Sequence, residues 1–360
     1  MIYLDYQATT PLAPEAREAM LRWLGGPGSD TFGNPHSPHR MGRMAAAAVE
    51  AAREKVAALF PAGGRVIFTS GATEALNLAI RGCHAVRAGE RIAFSAIEHA
   101  AVMETCKDIG NWAELPVTSE GLVDLSQEFP ARIGLMAVMQ VNNEIGTIQP
   151  LEDLARKAKA EGAKVLVDGV QAAGRMALFE ADMIAVSAHK LHGPKGIGAL
   201  WLREGVGLVS TSGGGGQEAG IRSGTLSPAL CAGFGAAAQL AVERMEEDAA
   251  HVEALWRRAR ELFAGWTLNG SAEARWHGNL NLRRDGLDVA RLMSDCRDVM
   301  FSAGSACASG SGRTSHVLSA IGLSQAEAKS SIRLGFGRYT TLDEIEQAAA
   351  SINAAAEAQQ

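Results

Sequence analysis

Two apolar segments of the chain each end on side chains that could take part in catalysis. The segment Lys164–Gly169 is predicted to be a buried strand that stops on the carboxylate of Asp168. The segment Met183–Lys190 is predicted to be a second strand, which stops on Ser-His-Lys. Because the carboxyl ends of strands in an open parallel sheet line the ligand crevice, we expect the Asp168 carboxylate and the Lys190 amine to lie there together.

Such a pair of side chains suits pyridoxal phosphate (PLP). A lysine amine can form a Schiff base with the PLP aldehyde, and an aspartate can keep the pyridine nitrogen protonated, so that the ring accepts electrons. Polar residues are also common at strand ends, so each of the two could instead have no catalytic role. The choice between these interpretations depends on other segments of the chain.

One of these segments could bind a phosphate, which needs backbone N–H groups at a helix start together with hydroxyls or a cation. The predicted strand 65–70 is followed by Gly-Ala-Thr-Glu-Ala, a turn that opens a helix. The backbone amides of Ala72 and Thr73, with the Thr73 hydroxyl, could form such a site, and Ser187 and His189 could add donors. An ordinary helix N-cap is the alternative interpretation of this turn.

A histidine follows another predicted strand. Glu98 and His99 come just after the strand at 91–95, on the same edge of the sheet as Asp168. A histidine there could stack on a flat aromatic ring and transfer protons, whereas the alternative is a solvated histidine at a helix start. The chain has no Walker A motif, and no GxGxxG follows its first strand, so ATP and nicotinamide cofactors are disfavoured.

Length, composition and charge limit the class of protein. The chain has 360 residues, of which 47% are hydrophobic and 21% charged, as in a soluble globular enzyme with a large core. A net charge of −6 disfavours nucleic-acid binding through general electrostatics. No apolar run is long enough for a bilayer, and the N-terminus lacks the basic part of a signal peptide. The cysteines are odd in number, widely spaced and without CxxC, so we expect a cytoplasmic protein with no metal site.

Alternating helical and strand patterns run from about Ala13 to Leu202 and predict an α/β fold with a mostly parallel sheet. A glycine-rich connection spans Gly205–Gly224, and such long connections are usually functional or mobile. A long helical pattern then runs from Pro228 to about Phe263 and leads to a smaller mixed region. The predicted helices are 45–59, 73–82, 151–161 and 341–358, and further predicted strands are 133–141, 278–283 and 331–337.

Nearly the whole chain resembles the cysteine desulfurases, PLP enzymes with the class V aminotransferase fold, and in particular their NifS/IscS-like branch. The resemblance rests on motifs that occur in the expected order. They are Tyr3–Pro11, Phe32–Ser37, Phe68–Glu74, Glu98–His99, Val141–Thr147, Asp168–Gln171, Ser187–Lys190, Arg222–Thr225, Ser302–Cys307 and Ser331–Gly335. The implied fold is that of the PLP-dependent transferases (aspartate aminotransferase-like). It would have a large PLP-binding domain at 13–240 and a small α+β domain made of 1–12 with 241–360.

The resemblance also implies roles for the matching residues. Lys190 would hold PLP, Asp168 would pair with the pyridine nitrogen, and Gln171 would contact the ring hydroxyl. His99 would stack on the ring and move protons. The phosphate would be bound by Ala72, Thr73, Ser187 and His189, with Thr225 contributed by the partner subunit of a homodimer. The substrate carboxylate would be bound by Arg333, helped by Asn143 and Asn34.

Cys307 is the predicted nucleophile. It lies among small residues in Ser302–Gly312, a composition typical of a mobile loop, here about 303–314. Sulfur chemistry needs an accessible thiolate. The resemblance implies that this thiolate attacks the sulfur of L-cysteine, which leaves a persulfide on Cys307 and releases L-alanine. A small buried side chain is the alternative for Cys307, and it is the interpretation preferred for the other cysteines, Cys83, Cys106, Cys231 and Cys296.

The persulfide sulfur would pass to an acceptor or scaffold protein, for iron–sulfur cluster assembly or for other thio-cofactors. Local departures from the family pattern, such as Gly312-Arg313-Thr314, leave the acceptor open. A selenocysteine lyase or another class V PLP enzyme acting on a small amino acid would keep Lys190 without needing a nucleophile at Cys307. A non-catalytic sulfur-carrier subunit would be expected to have lost Lys190 or Asp168, and both are present.

Overall fold

The computed structural model describes residues 1–304 and 314–359 of the chain. The helices are α1 (Pro14–Leu21), α2 (Arg40–Ala57), α3 (Ala72–Val86), α4 (Ala100–Ile109), α5 (Leu151–Ala160), α6 (Pro228–Glu243), α7 (Met245–Leu262), α8 (Val289–Asp295), α9 (His316–Ala320), α10 (Gln325–Lys329) and α11 (Leu342–Glu357). The strands are β1 (Ile2–Tyr3), β2 (Gly64–Thr69), β3 (Arg91–Ser95), β4 (Trp112–Leu115), β5 (Ile133–Met139), β6 (Lys164–Asp168), β7 (Met183–Ser187), β8 (Gly198–Arg203), β9 (Thr267–Leu268), β10 (Asn279–Arg283), β11 (Val299–Met300), β12 (Ser302–Ala303) and β13 (Ser331–Gly335).

A central sheet has the strand order β2-β8-β7-β6-β5-β3-β4. Strand β8 runs antiparallel to both of its neighbours, and the other adjacent pairs in this sheet are parallel. Its middle strands are almost continuously apolar and buried, as expected when helices cover both faces of a sheet. The predicted mostly parallel sheet is therefore confirmed.

Alternate residues of the central strands enter two different cores, because successive side chains of a strand point to opposite faces. In β6, Val165 and Val167 belong to the core that also contains apolar residues of α2, α5 and α6. Leu166 belongs to the opposite core, together with residues of α3 and α4. The sheet is thus held between two helical layers.

A second sheet is antiparallel, with the order β12-β13-β10-β9. Its core includes Leu280 and Leu334 from the strands, Leu255 from α7 and Ile345 from α11, together with Leu4 near the N-terminus. A smaller α+β part was predicted for this stretch of the chain, and the second sheet with its helices confirms it. The domain boundaries at 12 and 240 stay a prediction.

Several elements differ from their predicted bounds; the helix predicted at 45–59, for example, spans Arg40–Ala57. The long helical pattern after Pro228 forms two helices, because the backbone at Arg244 (φ −108°, ψ 5°) leaves the helical conformation. The acidic residues Glu246, Glu247 and Asp248 then occupy the first turn of α7, where a helix N-terminus stabilises negative charge. The predicted strand at 183–190 ends three residues early, and Ala188–Lys190 forms a 3₁₀ turn.

The N-terminal segment connects the two sheets. The amide of Gly335 in β13 donates to the Leu4 carbonyl at 2.8 Å, and the Tyr6 amide donates to the Gly335 carbonyl at 3.2 Å. A few residues further on, the Thr10 amide donates to the His189 carbonyl at 2.9 Å. One short stretch of backbone, residues 4–10, therefore links the second sheet to the turn after β7.

The described cysteines Cys83, Cys106, Cys231 and Cys296 are buried and unpaired, which confirms the interpretation preferred for them. Burial raises the pKa of Cys83 to about 11. The predicted nucleophile, Cys307, lies outside the described residues, as does most of the predicted loop at 303–314. Among residues 1–304 and 314–359, none of the helices combines the length and apolar character that crossing a bilayer requires.

Gly198 allows β8 to pass close to the turn that opens α3. An added Cβ would lie 2.6 Å from the Val186 carbonyl oxygen and 2.7 Å from the Gly71 Cα atom, and both are backbone atoms that cannot rotate away. We expect Gly198→Ala to lower the free energy of unfolding by about 1–3 kcal/mol, the usual cost of overpacking. Urea unfolding measures this change.

The matched control is Gly265→Ala, where an added Cβ would meet no atom within 4 Å. Its unfolding curve should stay close to that of the parent. Equal stabilities for the two variants would contradict the close approach of β8 to the turn.

Candidate active site

The register between two parallel strands brings the predicted carboxylate and amine together. Asp168 at the end of β6 pairs with Ala185 of β7, and the Gly169 amide donates to the Ala185 carbonyl at 2.9 Å. Two residues after Ala185 the strand ends at Ser187, and the 3₁₀ turn then presents Lys190. Asp168 and Lys190 both line one cavity of about 510 Å³.

Most of the predicted site residues line this same cavity. They are Ala72, Thr73, His99, Asn143, Asp168, Gln171, Ser187, His189, Lys190 and Arg333. They come from the carboxyl ends of β2, β3, β5, β6 and β7, or from the segments that directly follow them, and from β13 of the second sheet. The crevice expected at the carboxyl edge of a parallel sheet is therefore where these residues meet.

The N-terminal segment holds the Lys190 amine. The Lys190 Nζ atom donates to the Ala8 carbonyl at 2.8 Å and also makes a close contact with the Gln7 carbonyl. The Gln171 Nε2 atom donates to that same Gln7 carbonyl at 3.1 Å. The lysine amine is thus held by main-chain oxygens at the wall of the cavity.

Asp168 is a buried carboxyl group, only 6% exposed. Its Oδ1 atom accepts a hydrogen bond from the Val170 amide at 3.0 Å. Burial raises the pKa of Asp168, and the Val170 hydrogen bond and the charges of His99 and Lys190 oppose that rise. A buried carboxylate with nearby cations is suited to pairing with a protonated ring nitrogen, because such a partner offsets its desolvation.

His99 caps α4, and its Nδ1 atom accepts a hydrogen bond from the Ala101 amide at 3.1 Å. In a neutral imidazole one nitrogen accepts and the other carries the proton, so the proton of a neutral His99 is on Nε2. The preceding residue, Glu98, is fully buried and lies beneath this turn. Its Oε1 atom accepts from the Ser95 hydroxyl at 2.5 Å and from the Met139 amide at 2.9 Å. Its Oε2 atom is buried and has no hydrogen-bond partner within 1–304 and 314–359.

The start of α3 could bind a phosphate. Gly71 precedes the helix and supplies no side-chain cap, so the first-turn amides, among them those of Ala72 and Thr73, lack a capping side chain. The nearby Glu74 carboxylate accepts from the Ser70 amide at 2.5 Å and pairs with the Arg222 guanidinium at 2.8 Å. This ion pair offsets a negative charge that would otherwise repel an anion at the helix start.

His189 adds a neutral group to the same end of the cavity. Burial, together with the charges of Lys190 and Lys195, lowers the pKa of His189 to about 4. Its Nδ1 atom lies 3.1 Å from the Thr9 hydroxyl oxygen. A neutral imidazole can still donate one hydrogen bond to an anion. His189 could therefore help to bind a phosphate without carrying a positive charge.

The second sheet contributes Arg333 of β13 to the cavity, and this side chain is 1% exposed. Its Nη2 atom donates to the Asp5 carboxylate at 2.7 Å and its Nη1 atom to the Asn143 carbonyl at 3.1 Å. Among the residues that the structure describes, none is a hydrogen-bond partner of the buried Nε atom. A guanidinium at a cavity wall is suited to binding a small carboxylate.

Asn34 and Thr225 do not line the cavity of their own chain. Both are exposed, and the Asn34 Oδ1 atom accepts from the His36 amide at 2.9 Å. Thr225 lies in the connection between β8 and α6. The roles assigned to these two residues stay predictions.

Several cavity residues were not found from the sequence: Gln7, Ala8, Ser70, Glu74, Lys195 and Gly196. Gln7 and Ala8 belong to the Tyr3–Pro11 motif, which was the available signal. They contact Lys190 through main-chain carbonyls, however, and any residue type supplies a carbonyl. Side-chain chemistry in the sequence therefore could not identify them.

The donor set fits PLP. The cavity combines an amine on Lys190, a buried carboxylate on Asp168, an imidazole on His99 and the uncapped start of α3. These groups match the aldehyde, the pyridine nitrogen, the ring face and the phosphate of that cofactor. Among the residues that the structure describes, no cluster of three or more His, Cys, Asp or Glu is arranged to hold a metal ion.

Known proteins resemble this chain over almost its whole length. The class-V aminotransferase family model matches residues 2–348. The cysteine desulfurase IscS of Rickettsia akari is 40% identical over 368 residues, which cover 96% of this chain and 89% of the relative. The mitochondrial cysteine desulfurase of Drosophila melanogaster is 38% identical, with 97% of this chain and 79% of the relative covered.

Solved structures agree with these relatives. A NifS-like protein superposes with a TM-score of 0.89 at 31% identity, over 98% of both chains. A structure of SspA in complex with cysteine superposes with a TM-score of 0.80 at 33% identity. The match covers 95% of this chain and 100% of SspA. The chain belongs to the class-V aminotransferase family. Within that family it belongs with the cysteine desulfurases of the IscS and NifS type, and the family implies PLP as cofactor.

Replacing the buried carboxyl group by an amide in Glu98→Gln should alter how stability depends on pH. Burial raises the pKa of Glu98 from 4.5 to about 8, against the opposing hydrogen bonds from Ser95 and Met139. Between these values the folded protein keeps a proton that the unfolded chain releases. The parent therefore loses stability as pH rises across this window, by up to about 1.4 kcal/mol per pH unit, and a glutamine does not.

The thermal unfolding midpoint measures the difference. The midpoint of Glu98→Gln relative to the parent should be higher at pH 8 than at pH 6. The control is Glu104→Gln, an exposed position on α4, whose difference from the parent should be the same at both pH values. A Glu98→Gln difference that does not change with pH would show that Glu98 is ionised in the folded protein.

Proposed function

We propose that this protein converts L-cysteine to L-alanine, forms a persulfide on Cys307 and donates the sulfur for iron–sulfur cluster assembly or for other thio-cofactors. The observation that carries the proposal is that Lys190, Asp168 and Arg333 line one cavity of this chain. The chain is also 40% identical to a cysteine desulfurase. The complex of the similar protein SspA with cysteine supports L-cysteine as the substrate.

Within this proposal each end of the cavity has a task. Lys190 would hold PLP through its amine, Asp168 would keep the pyridine nitrogen protonated, and Gln171 would contact the ring oxygen. The phosphate would be held by the start of α3, with Ala72 and Thr73, and by Ser187 and His189. PLP supplies an electron sink for the bonds at the substrate Cα. Arg333 and Asn143 would orient the substrate through its carboxylate.

Proton transfer falls to the chain's own bases. The Lys190 amine or the His99 imidazole would take the proton from the substrate Cα and return one during alanine formation. The Cys307 thiolate then attacks the substrate sulfur, so that a sulfur–sulfur bond forms as the substrate carbon–sulfur bond breaks. The electron pair of the broken bond stays with carbon, which takes a proton to become the alanine methyl group. One cysteine and one thiol thus give one alanine and one persulfide.

We further propose that the protein is a homodimer, in which Thr225 and Asn34 complete the site of the neighbouring subunit. Their exposure and their positions outside the cavity of their own chain support this arrangement. A second protein would accept the persulfide sulfur. A cytoplasmic location is part of the proposal, in keeping with the unpaired thiols of the described cysteines.

The experiment that tests the proposal uses Cys307→Ser. The variant should keep the visible absorbance of bound PLP, because Cys307 has no task in holding the cofactor. Its rates of alanine and sulfide production from L-cysteine with a thiol reductant should fall at least about 100-fold, since a hydroxyl cannot replace the attacking thiolate. Alanine and sulfide are measured together on the PLP-loaded protein.

The matched control is Cys296→Ser. The Cys296 thiol lies 3.7 Å from the Ser351 carbonyl oxygen, and a serine hydroxyl can take over that contact. This variant should keep the parental rates. If Cys307→Ser also released alanine at the parental rate, the role of Cys307 would be wrong. PLP absorbance without sulfide from the parent would favour the alternative, a selenocysteine lyase or another class V enzyme acting on a small amino acid.

A further inference from the structure

Arg175 is a charged side chain beside the cavity to which the proposed reaction gives no task. Its Nη1 atom donates to the main-chain carbonyl of Gln171 at 2.9 Å and to the Gln171 side-chain Oε1 atom at 2.5 Å. Its Nη2 atom donates to the Lys190 carbonyl at 3.2 Å. One guanidinium therefore contacts the two residues that the proposed function assigns to the PLP ring oxygen and to the PLP aldehyde.

The contact with Arg175 determines the orientation of the Gln171 side-chain amide. The oxygen and nitrogen of such an amide are normally told apart only by their hydrogen-bond partners. A guanidinium donates and never accepts, so the Gln171 atom that faces Arg175 must be the oxygen. The Gln171 Nε2 atom then points the other way, where it donates to the Gln7 carbonyl that also contacts the Lys190 amine.

No ion pair formed by residues 1–304 and 314–359 includes Arg175. On its other side Arg175 shares a small cavity with His192, Asp248 and Arg338, and there Asp248 pairs with Arg338 at 2.6 Å. The centroid of the Trp276 ring lies 5.9 Å from the Arg175 Cζ atom. Burial lowers the pKa of Arg175 to about 10, so the guanidinium is still a cation at neutral pH. A cation of this kind favours a negative charge on a group nearby.

We propose that Arg175 is a positioning residue for the cofactor. It holds the Gln171 amide with its NH₂ group available to the cavity and polarises that amide, so that the NH₂ group favours the ionised form of the oxygen it binds. The inference rests on the proposed function, because the PLP ring oxygen is the group to which Gln171 is assigned. Arg175 would act through Gln171 and through the main chain of Lys190, without touching PLP itself.

The test is a pH titration of the visible absorbance of the PLP-loaded variant Arg175→Met. Without the cation the form of the chromophore with the additional proton is favoured, so the midpoint should rise by about one pH unit. PLP should also bind the apoprotein about tenfold more weakly, because the Gln171 amide is free to turn. Arg175→Lys, which keeps the charge, should restore most of the parental midpoint.

Two comparisons separate positioning from a merely structural role. Arg156→Met removes an exposed arginine of α5 that pairs with Asp153, and it should leave the midpoint unchanged. In a Gln171→Ala background, Arg175→Met should move the midpoint by half as much or less, because the amide no longer relays the effect. An equal shift in both backgrounds, or a lower thermal midpoint with an unchanged titration, would overturn the inference.

Arg175→Gln provides the same test if Arg175→Met does not fold, because glutamine keeps a hydrogen-bond donor and loses the charge. Failure of the inference and failure of the proposed function give different results. If the parent shows no visible absorbance with PLP, the proposed function fails and the inference fails with it. If the parent shows the absorbance and Arg175→Met, or Arg175→Gln in its place, titrates like the parent, only the inference is wrong.

Discussion

The parallel register of β6 and β7 is the constraint on which the rest of the site depends. The pairing of Asp168 with Ala185 places the carboxylate at the end of one strand and Lys190 in the turn after the next. A shift of one residue would turn every side chain of the shifted strand to the opposite face. Val165, Val167 and Leu166 prevent such a shift, because each of the two helical layers needs its own alternate residues. The helical layers thus specify the relative position of the two chemical groups.

The N-terminal segment supplies a second constraint, which connects the cofactor end of the cavity to the substrate end. Its Gln7 and Ala8 carbonyls hold the Lys190 amine, and the Asp5 carboxylate pairs with Arg333. The Gly335 amide of β13 donates to the Leu4 carbonyl, and the Gly335 carbonyl accepts from the Tyr6 amide, which fixes this segment against the second sheet. The amine and the guanidinium therefore keep their separation through one short stretch of chain, although they come from different sheets.

The sequence predicted those parts of the protein that depend on side-chain type and periodicity. The apolar runs at β5, β6 and β7 indicated the sheet. The polar side chains that follow such runs in the sequence indicated which residues line its carboxyl edge. What it could not predict depends on backbone geometry or on tertiary contacts. The break at Arg244 interrupts a continuous helical pattern, and the Gln7 and Ala8 carbonyls carry no signature of residue type. Arg175 was missed because its importance comes from the two groups it contacts, and nothing in its local sequence indicates them.

The central claim is that Lys190 is the lysine that holds PLP, because the strand register brings it to the same edge of the sheet as Asp168. Treating the PLP-loaded protein with borohydride makes this linkage permanent, and mass spectrometry of the proteolytic fragments then locates it. Lys195 lines the same cavity five positions later and is an internal comparison within one short fragment. We expect the phosphopyridoxyl group on Lys190 alone. Its appearance on Lys195, or on no lysine of a protein that has been supplied with PLP, would contradict the account.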